Sequence, residues 1–143
     1  SGTPPDTFAW DFGGGATPNT SNEESPTITL GAEGQYNASL TVSNANGSDT
    51  LDFILDVIAP PHVENITPNT GLAFSTFTFD VTLSGGTPTS YLWTFPNDLF
   101  TIDSSADPEP TVTCNAAPNI GFCTLRVENA AGFHEYSFPF MVQ

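Results

Sequence analysis

The sequence predicts an all-β chain made of two tandem β-sandwiches, and three observations support this fold class. The 143 residues are rich in Thr, Ser, Asn, Gly and Pro, include 12 Phe to fill small cores, and lack long windows of helix-forming residues. Apolar and polar residues alternate in several short runs, as they do in strands that are buried on one face. One motif occurs twice, at an offset that grows only from 83 residues (Trp10 to Trp93) to 85 (Val57 to Val142).

The repeated motif has three parts, and each part is present in both copies. The first copy carries them at residues 8–13, 25–30 and 34–47, and the second at residues 91–96, 109–114 and 123–132. A repeat of this length, built from short alternating runs, is typical of two copies of one β-domain. The chain is long enough for two small domains of this kind.

In the first copy, two alternating runs joined by a turn predict a β-hairpin. Their apolar positions are Tyr36, Ala38, Leu40 and Val42 in the first run and Leu51, Phe53, Leu55 and Val57 in the second. Asn46-Gly47 between the runs is a strong signal for a two-residue turn. Ala59-Pro60-Pro61 then ends the pattern. We therefore expect a first domain over residues 1–58, a stiff linker over 59–61 and a second domain over 62–143.

The second copy contains a longer series of predicted strands. They are expected near residues 62–67 and 74–84, around Tyr91, Trp93 and Phe95, around Cys123, Leu125 and Val127, and over residues 136–142. Pro139 in the last run has no N–H to donate to a ladder. That strand should therefore lie at a sheet edge or carry a bulge at this residue.

The two copies differ in what precedes the tryptophan. Two predicted strands precede Trp93, whereas only nine residues precede Trp10. The first domain therefore lacks the residues for its N-terminal strands. A sandwich without two of its strands leaves sheet edges and an apolar face uncovered.

The charge of the chain excludes several kinds of partner. Sixteen acidic residues stand against Arg126 as the only Lys or Arg, which gives a formal net charge of −15. Such a field repels phosphate, so we expect neither nucleic acid nor an anionic membrane as a partner. No apolar run is long enough to span a membrane, and no leader opens the sequence. These features favour a mature or excised piece of an exported protein with a well-solvated surface.

Cys114 and Cys123 are the only cysteines, and both lie in the second copy. An even count in a small β-domain without a metal motif predicts a Cys114–Cys123 disulfide and an oxidising compartment. When the copies are aligned, these residues fall on Leu30 and Ala38, which are both inward positions. The two thiols should therefore face each other.

The first copy resembles the PKD domain, an immunoglobulin-like β-sandwich. That family carries Trp-Asp-Phe-Gly-Asp-Gly, then Pro-x-Val-x-Phe, then Gly-x-Tyr-x-Val-x-Leu-x-Val-x-Asn-x-x-Gly. The matching stretches here are Trp10-Asp-Phe-Gly13, Pro26-Thr-Ile-Thr-Leu30, Gly34-Gln-Tyr36 and Leu40-Thr-Val-Ser-Asn44. Gly14-Gly15 stands where the family has Asp-Gly. The second copy keeps Trp93-Thr-Phe95 and Leu125-Arg-Val-Glu-Asn129, which is similar to a diverged unit of the same type.

The resemblance implies two tandem PKD-type sandwiches from a secreted or surface protein of bacteria, without catalysis. PKD domains act as spacers, adhesion modules or substrate-targeting accessories of hydrolases. The implied partners are other domains of a longer surface protein, neighbouring subunits, glycans or matrix proteins. Some members bind calcium through an Asp-rich turn before the tryptophan strand, but the matching turn over residues 84–90 has no carboxylate.

The motif residues themselves are interpreted as parts of the core. They are Trp10, Asp11, Phe12, Gly13, Tyr36, Trp93 and Phe95. Either tryptophan would serve as a ligand-stacking platform if it were exposed, but each lies between inward aromatic positions, which favours packing. Asp11 is expected to accept hydrogen bonds from the backbone of the turn that follows it.

The remaining polar candidates give weak signals. Asp103, Asp107 and Glu109 form the best oxygen cluster for calcium, although an acidic solvated loop is the favoured interpretation and no cofactor is expected. His62 and His134 have no zinc spacing and are expected at the surface. No catalytic residue or nucleophile motif is found. Four Asn-x-Ser/Thr sequons mark possible glycosylation, at Asn19, Asn37, Asn46 and Asn65, with Asn37 on the outward phase of its strand.

The sequence therefore favours a non-catalytic adhesion or structural module of an extracellular protein. Two alternatives stay open. One is a filament or array subunit whose first domain is completed by a strand from a neighbour. The other is an accessory module of a secreted hydrolase, which would need an exposed row of aromatic side chains.

Overall fold

The computed structural model describes residues 4–143, which form strands and turns without any helix. The chain divides into two compact units, Ser1–Ile58 and Ala59–Gln143. Residues 1–3, part of the short segment before Trp10, lie outside the described residues. The three residues predicted as a linker belong to the second unit. Pro61 begins its first strand, and the Ala59 carbonyl accepts a 2.7 Å hydrogen bond from the Asn129 side chain.

The first unit is a single antiparallel sheet with a small ribbon beside it. Its strands are β1 (Thr7–Asp11), β2 (Ala16–Thr17), β3 (Thr20–Ser21), β4 (Thr29–Leu30), β5 (Gly34–Asn44) and β6 (Gly47–Val57). The sheet has the order β3-β1-β5-β6, and β2 pairs with β4. Strands β5 and β6 form the predicted hairpin and pair along their full length.

The hairpin turn is one residue earlier than the sequence predicts. Asn44 pairs with Gly47, so the two turn residues are Ala45 and Asn46, and Gly47 begins β6 at a φ of +146°. The Asn44 side chain accepts a hydrogen bond from the Asn46 N–H at 2.9 Å. The second unit repeats this turn, with Asn129 paired to Gly132. The repeated Asn-x-x-Gly thus encodes one local geometry twice.

The second unit is a sandwich of two layers. Its strands are β7 (Pro61–Thr67), β8 (Thr70–Gly71), β9 (Thr76–Thr78), β10 (Asp80–Gly85), β11 (Ser90–Thr94), β12 (Ser104–Ser105), β13 (Thr111–Thr113), β14 (Asn119–Asn129) and β15 (Gly132–Val142). One layer is the sheet β12-β11-β14-β15-β8. The other is formed by two strand pairs, β7 with β10 and β9 with β13. Side chains from both layers join in one buried cluster.

The strand predicted over residues 74–84 is divided at Phe79. The division arises because β9 pairs with β13 whereas β10 pairs with β7. The Phe79 N–H itself bonds to the Pro110 carbonyl at 3.2 Å. Pro139 lies in β15 without a bulge, and β15 has a strand on only one side there, because β8 pairs with it only at Met141 and Val142.

Candidate interaction surface

The two tryptophans occupy the same local environment in their units. Trp10 pairs with Leu40 of β5, and Trp93 pairs with Leu125 of β14. Each indole N–H donates to a backbone carbonyl in the loop that follows. Trp10 Nε1 donates to the carbonyl of Glu23 and Trp93 Nε1 to that of Asp107, both at 3.0 Å. The repeat is therefore preserved down to individual hydrogen bonds.

The cover over the two tryptophans is different. Trp93 is 0% exposed. Phe79, from the opposite layer, stacks on its ring with centroids 5.0 Å apart, and Phe95 stacks at 5.7 Å. Trp10 is only half-buried. Its ring contacts belong to its own sheet and turn: Phe12 stacks at 5.8 Å and Phe53 meets it edge-on at 6.4 Å.

Trp10 belongs to an apolar sheet surface of the first unit that we call the open face. Cross-strand pairing places its members on one side of the sheet: Phe8, Trp10, Leu40, Val42, Leu51 and Phe53. None of these side chains is fully buried, and Leu51 is 65% exposed. Towards the other end the same face is covered. A Cβ on Gly15 would lie 2.5 Å from the Tyr36 ring, and Ala38 is buried.

Carboxylates stand at the uncovered end of this surface. Asp49 lies directly opposite Val42 in the β5–β6 ladder, and therefore on the same side of the sheet. Asp6 precedes Phe8 by two residues and its N–H bonds to the Ser43 carbonyl at 2.8 Å, so it continues the alternation of Phe8. Acidic residues are the only charged residues in residues 4–58: Asp6, Asp11, Glu23, Glu24, Glu33, Asp49, Asp52 and Asp56.

The Trp-Asp-Phe-Gly motif builds the turn that covers the other end. Asp11 Oδ1 accepts the Gly13 N–H at 2.9 Å and the Asn19 amide at 3.3 Å. The Asn19 Oδ1 accepts the Gly14 N–H at 2.6 Å. Gly13 has a φ of +63° and approaches the backbone of Asn37 closely. These groups are used by the turn itself, and Phe12 is buried beside it.

The acidic loop considered for calcium carries Asp103, Asp107 and Glu109. Among residues 4–143, no three His, Cys, Asp or Glu side chains are grouped to hold an ion. Asp103 and Asp107 contribute their backbone instead. The Asp103 carbonyl accepts the Phe95 N–H at 2.9 Å, and the Asp107 carbonyl accepts the Trp93 indole. Glu109 is exposed.

The predicted Cys114–Cys123 disulfide is not present in the structure, where both residues are buried free thiols. Cys123 lies in β14. Cys114 follows β13, in the other layer, and its backbone forms an isolated β-bridge with Phe100. Burial raises the pKa of Cys123 from its ordinary value of 9.0 to about 12, and the nearby Cys114 adds to that rise. Burial also raises the pKa of Cys114, although a hydrogen bond with Ser75 acts to lower it. A neutral thiol is a poor nucleophile, which disfavours disulfide exchange.

The histidines form a pair that the sequence analysis missed. The rings of His62 and His134 stack with centroids 4.0 Å apart. His134 Nδ1 accepts the Val63 N–H at 3.0 Å, which ties β15 to β7 across the two layers. His62 is exposed, as expected, and His134 is half-buried. Their separation of 72 residues gives no local pattern from which this contact could be read.

The four sequons lie at different kinds of position. Asn37 and Asn65 are exposed residues of β5 and β7. Asn46 lies in the β5–β6 turn. Asn19 is exposed, but both ends of its amide bond to the Trp-Asp-Phe-Gly turn. All four asparagines are therefore exposed, and they differ in the element that carries them.

Comparison with known proteins places the two units in one structural class. The chain is similar to an I-band fragment of titin, I67–I69, with a TM-score of 0.57 and 18% identity over 99% of this chain and 56% of that one. It is also similar to the amphioxus IgVJ-C2 molecule, with a TM-score of 0.53 and 16% identity over 99% and 92%. A third match is to the N-terminal four Ig domains of Dscam1 isoform 6.9, with a TM-score of 0.53 and 17% identity.

The third match covers 96% of this chain and 37% of the Dscam1 chain, so the chain spans well under half of that structure. A comparison with curated proteins gave no match. At these identities the structural matches show the fold, which is a tandem of immunoglobulin-like β-units. Residues 3–57 match the family model of the PKD domain. The first unit thus matches the PKD family model, and the second is an immunoglobulin-like unit that carries the same motif. Domains of this class are typically non-catalytic modules for adhesion or structure.

Proposed function

We propose that the chain is a non-catalytic adhesion or structural module of a cell-surface or secreted protein. The proposal rests on the hydrogen bonds that the side chains of the motif residues make. Trp10, Trp93 and Asp11 all bond to the backbone of their own unit. The repeated motif therefore serves to build two similar units in series, which is what an extended surface array needs.

The acidic surface supports the same proposal. A net charge of −15 keeps the chain soluble and leaves interactions to its uncharged patches. The described residues contain no helix that could cross a membrane. The partners that we propose are other domains of a longer surface protein, neighbouring subunits, glycans or matrix proteins.

Antibody access to intact source cells tests this function. Fab fragments raised against the chain should label cells that have not been permeabilised, or the protein should be recovered from the medium. They should also reduce attachment to polysaccharide- or matrix-coated surfaces, whereas Fab fragments against an unrelated surface protein should not. If labelling required permeabilisation, the proposed surface role would be contradicted.

A filament or array subunit is a second candidate, favoured by the open face. In that case the first unit would be completed by a strand from a neighbouring molecule. Sedimentation velocity of the full chain over a wide concentration range distinguishes the two. Growth of large species with concentration supports assembly, and a monomer at every concentration contradicts it.

A targeting module of a secreted hydrolase is a third candidate. Phe74 and Phe122 favour it, because they are 75% and 68% exposed. Phe74 also has a φ of +59°, a strained value for a residue with a side chain. Binding to insoluble polysaccharides should then fall in the double variant Phe74→Ala, Phe122→Ala and persist in Leu92→Ala, which removes an exposed apolar side chain from β11. If the double variant bound insoluble polysaccharides as well as Leu92→Ala does, this role would be excluded.

A further inference from the structure

We infer that two copies of this chain pair through an apolar surface of the second unit and form a closed dimer. The surface, which we call the Phe122 patch, consists of Leu72, Ile120, Phe122, Pro139 and Met141. This inference rests on the proposed function, because it identifies the neighbouring subunit among the proposed partners as a second copy. It concerns the second unit alone.

Strand pairing places the Phe122 patch on the outer face of the sheet β12-β11-β14-β15-β8. Ile120 lies opposite Met141 in the β14–β15 ladder. Phe122 lies opposite Pro139 in the same ladder. Leu72 directly follows β8, whose last residue faces the core, so its side chain points outward beside Met141. The five side chains therefore form one surface along β14, β15 and the end of β8.

The exposed area of the Phe122 patch is large enough for a protein contact. Leu72, Ile120 and Phe122 are 65%, 61% and 68% exposed, and Met141 is 43% exposed. Together with the adjoining Phe74, these side chains expose roughly 600 Å² of apolar area, the upper end of what a typical monomer shows. Two such patches would bury about 1,200 Å² when they meet, the lower end of the range for specific protein interfaces.

The turn beside the patch is held in a strained conformation. The Ser75 N–H and hydroxyl both donate to the Leu72 carbonyl, at 3.0 and 2.7 Å. These bonds close a turn in which Phe74 has a φ of +59°, a conformation that favours glycine. The Phe74 side chain is nevertheless 75% exposed. Strain that keeps large apolar side chains at the surface is typical of a contact site.

The patch combines a projecting ring with a recess, which a contact between two identical surfaces requires. The recess is an open hollow of about 380 Å³, lined by Pro118, Asn119, Ile120, Met141, Val142 and Gln143. Phe122 stands two residues from Ile120 on the same strand, about 7 Å away. A two-fold axis that runs across the strands brings the Phe122 ring of each copy to the hollow of the other.

The charges near the patch are compatible with such a pair. No side chain of the patch is charged, and the carboxylate beside the hollow, that of Asp98, accepts the Asn119 amide at 3.1 Å. Glu128 and Glu135 lie farther along the same face. When the strands of the two copies run antiparallel, these two residues point away from the axis. Each copy carries −15, so repulsion opposes pairing and added salt should strengthen it by screening.

Sedimentation equilibrium of the full chain tests the stoichiometry. Between about 1 µM and 1 mM, the chain should pass from monomer to dimer and stop there. Association should be tighter in about 1 M salt than in about 0.15 M salt, because the Debye length falls from about 8 Å to about 3 Å. A monomer at every concentration, or growth beyond two copies, would overturn the inference.

Two matched variants test the location of the contact. Phe122→Ser should weaken the dimer at least about tenfold, because a two-fold contact loses the ring twice. Phe133→Ser removes a 54% exposed ring from the other end of the same face and should change the dissociation constant by less than about twofold. Circular dichroism checks that both variants fold. Equal weakening by both, or by neither, would place the contact elsewhere and overturn the inference.

Met141 provides a direct probe of the patch, because it is the only methionine of the chain. An isotope label on the methionine methyl group therefore gives one signal, which should shift as the dimer forms. In a mixed sample, this methyl group should show nuclear Overhauser contacts to aromatic protons of an unlabelled copy. The contacts should disappear when the unlabelled copy is Phe122→Ser. A dimer that leaves the Met141 signal unchanged would contradict pairing through the patch.

The same signal distinguishes a glycan from a second copy. If the chain stays monomeric and the Met141 signal shifts only when oligosaccharides are added, a glycan occupies the patch and the inference is overturned. Failure of the surface-labelling test, by contrast, would contradict the proposed function without changing the Met141 signal.

Discussion

The first and second units share a motif, an indole hydrogen bond and a hairpin turn, but only the second encloses its tryptophan. In the second unit, Phe79 arrives from a separate layer and stacks on Trp93. In the first, the rings around Trp10 come from its own sheet and turn. The difference shows that the motif specifies one sheet and its turns. The burial of that sheet depends on strands that the motif does not contain.

The largest expected difference between the units comes from the tryptophans. Trp93→Ala should destabilise the second unit by about 3–5 kcal/mol, because it empties a fully buried site. Trp10→Ala should cost the first unit only about 1–2 kcal/mol, since less apolar area is lost from a half-exposed ring. Denaturant unfolding followed by circular dichroism measures both. Equal losses in the two units would mean that Trp10 is as well covered as Trp93.

A pair of adjacent glycines tests how strictly the first turn is built. Gly13→Ala should cost about 2–4 kcal/mol, because φ is +63° and the new Cβ would lie 2.2 Å from the Asn37 carbonyl oxygen. Gly14→Ala is the matched control. Its φ is +92° but nothing lies within 4 Å, so only the cost of the backbone conformation, about 1–2 kcal/mol, is expected. Thermal melts that rank the two variants in the opposite order would contradict this geometry.

Alkaline pH should destabilise the second unit more than the first, because both cysteines lie in the second. Its fold favours the neutral Cys123 thiol, whose pKa is raised from 9.0 to about 12. The resulting stabilisation is complete below pH 9 and is lost as pH rises from 9 towards 12. The second unit should therefore melt earlier at about pH 10–11, and Cys123→Ala should remove part of that loss.

Thiol counting in the same samples provides an independent measurement. Ellman's reagent should react slowly with the native chain and should find both thiols after denaturation without reductant. Two unreactive sulfurs in the denatured chain would show a disulfide and contradict the buried thiols of the structure.

The smallest effect is expected at Arg126, which only the second unit possesses. Its guanidinium bonds to Glu128 at 3.1 Å and lies 3.7 Å above the Phe133 ring. Because both charged side chains are at least a third exposed, Arg126→Gln should cost about 0.5 kcal/mol. Trypsin should not cleave the native chain at this single site, because β14 is paired on both sides there. Rapid native cleavage would show that β14 opens locally.

Elements governed by local pattern could be predicted from the sequence. The alternation around Leu40 and around Leu125 predicts β5 and β14, and the Asn-x-x-Gly turns follow from their residue types. The alternation of apolar and polar residues also predicts that the side chains of Phe79 and Trp93 face the core. The sequence analysis also expected no second layer of strands before Trp10, and residues 4–58 contain none.

Contacts between distant residues could not be predicted in this way. Leu99 and Phe100 lie in an irregular segment, yet both are buried in the core of the second unit. The stacking of His62 on His134 and the separation of Cys114 and Cys123 into different layers depend on how the layers meet. The repeat even misleads at one position: Cys114 aligns with Leu30, but Cys114 is buried whereas Leu30 is exposed.

By itself, the sequence determined the all-β class, the two units, the hairpins and the acidic surface, because each depends on composition or on neighbours close along the chain. Only the tertiary structure decided which faces are covered. Burial of Trp93, exposure of Trp10 and the environment of each cysteine depend on whether a second layer of strands is brought against the first. That layer is held by packing and hydrogen bonds between residues far apart in sequence, which no local periodicity records.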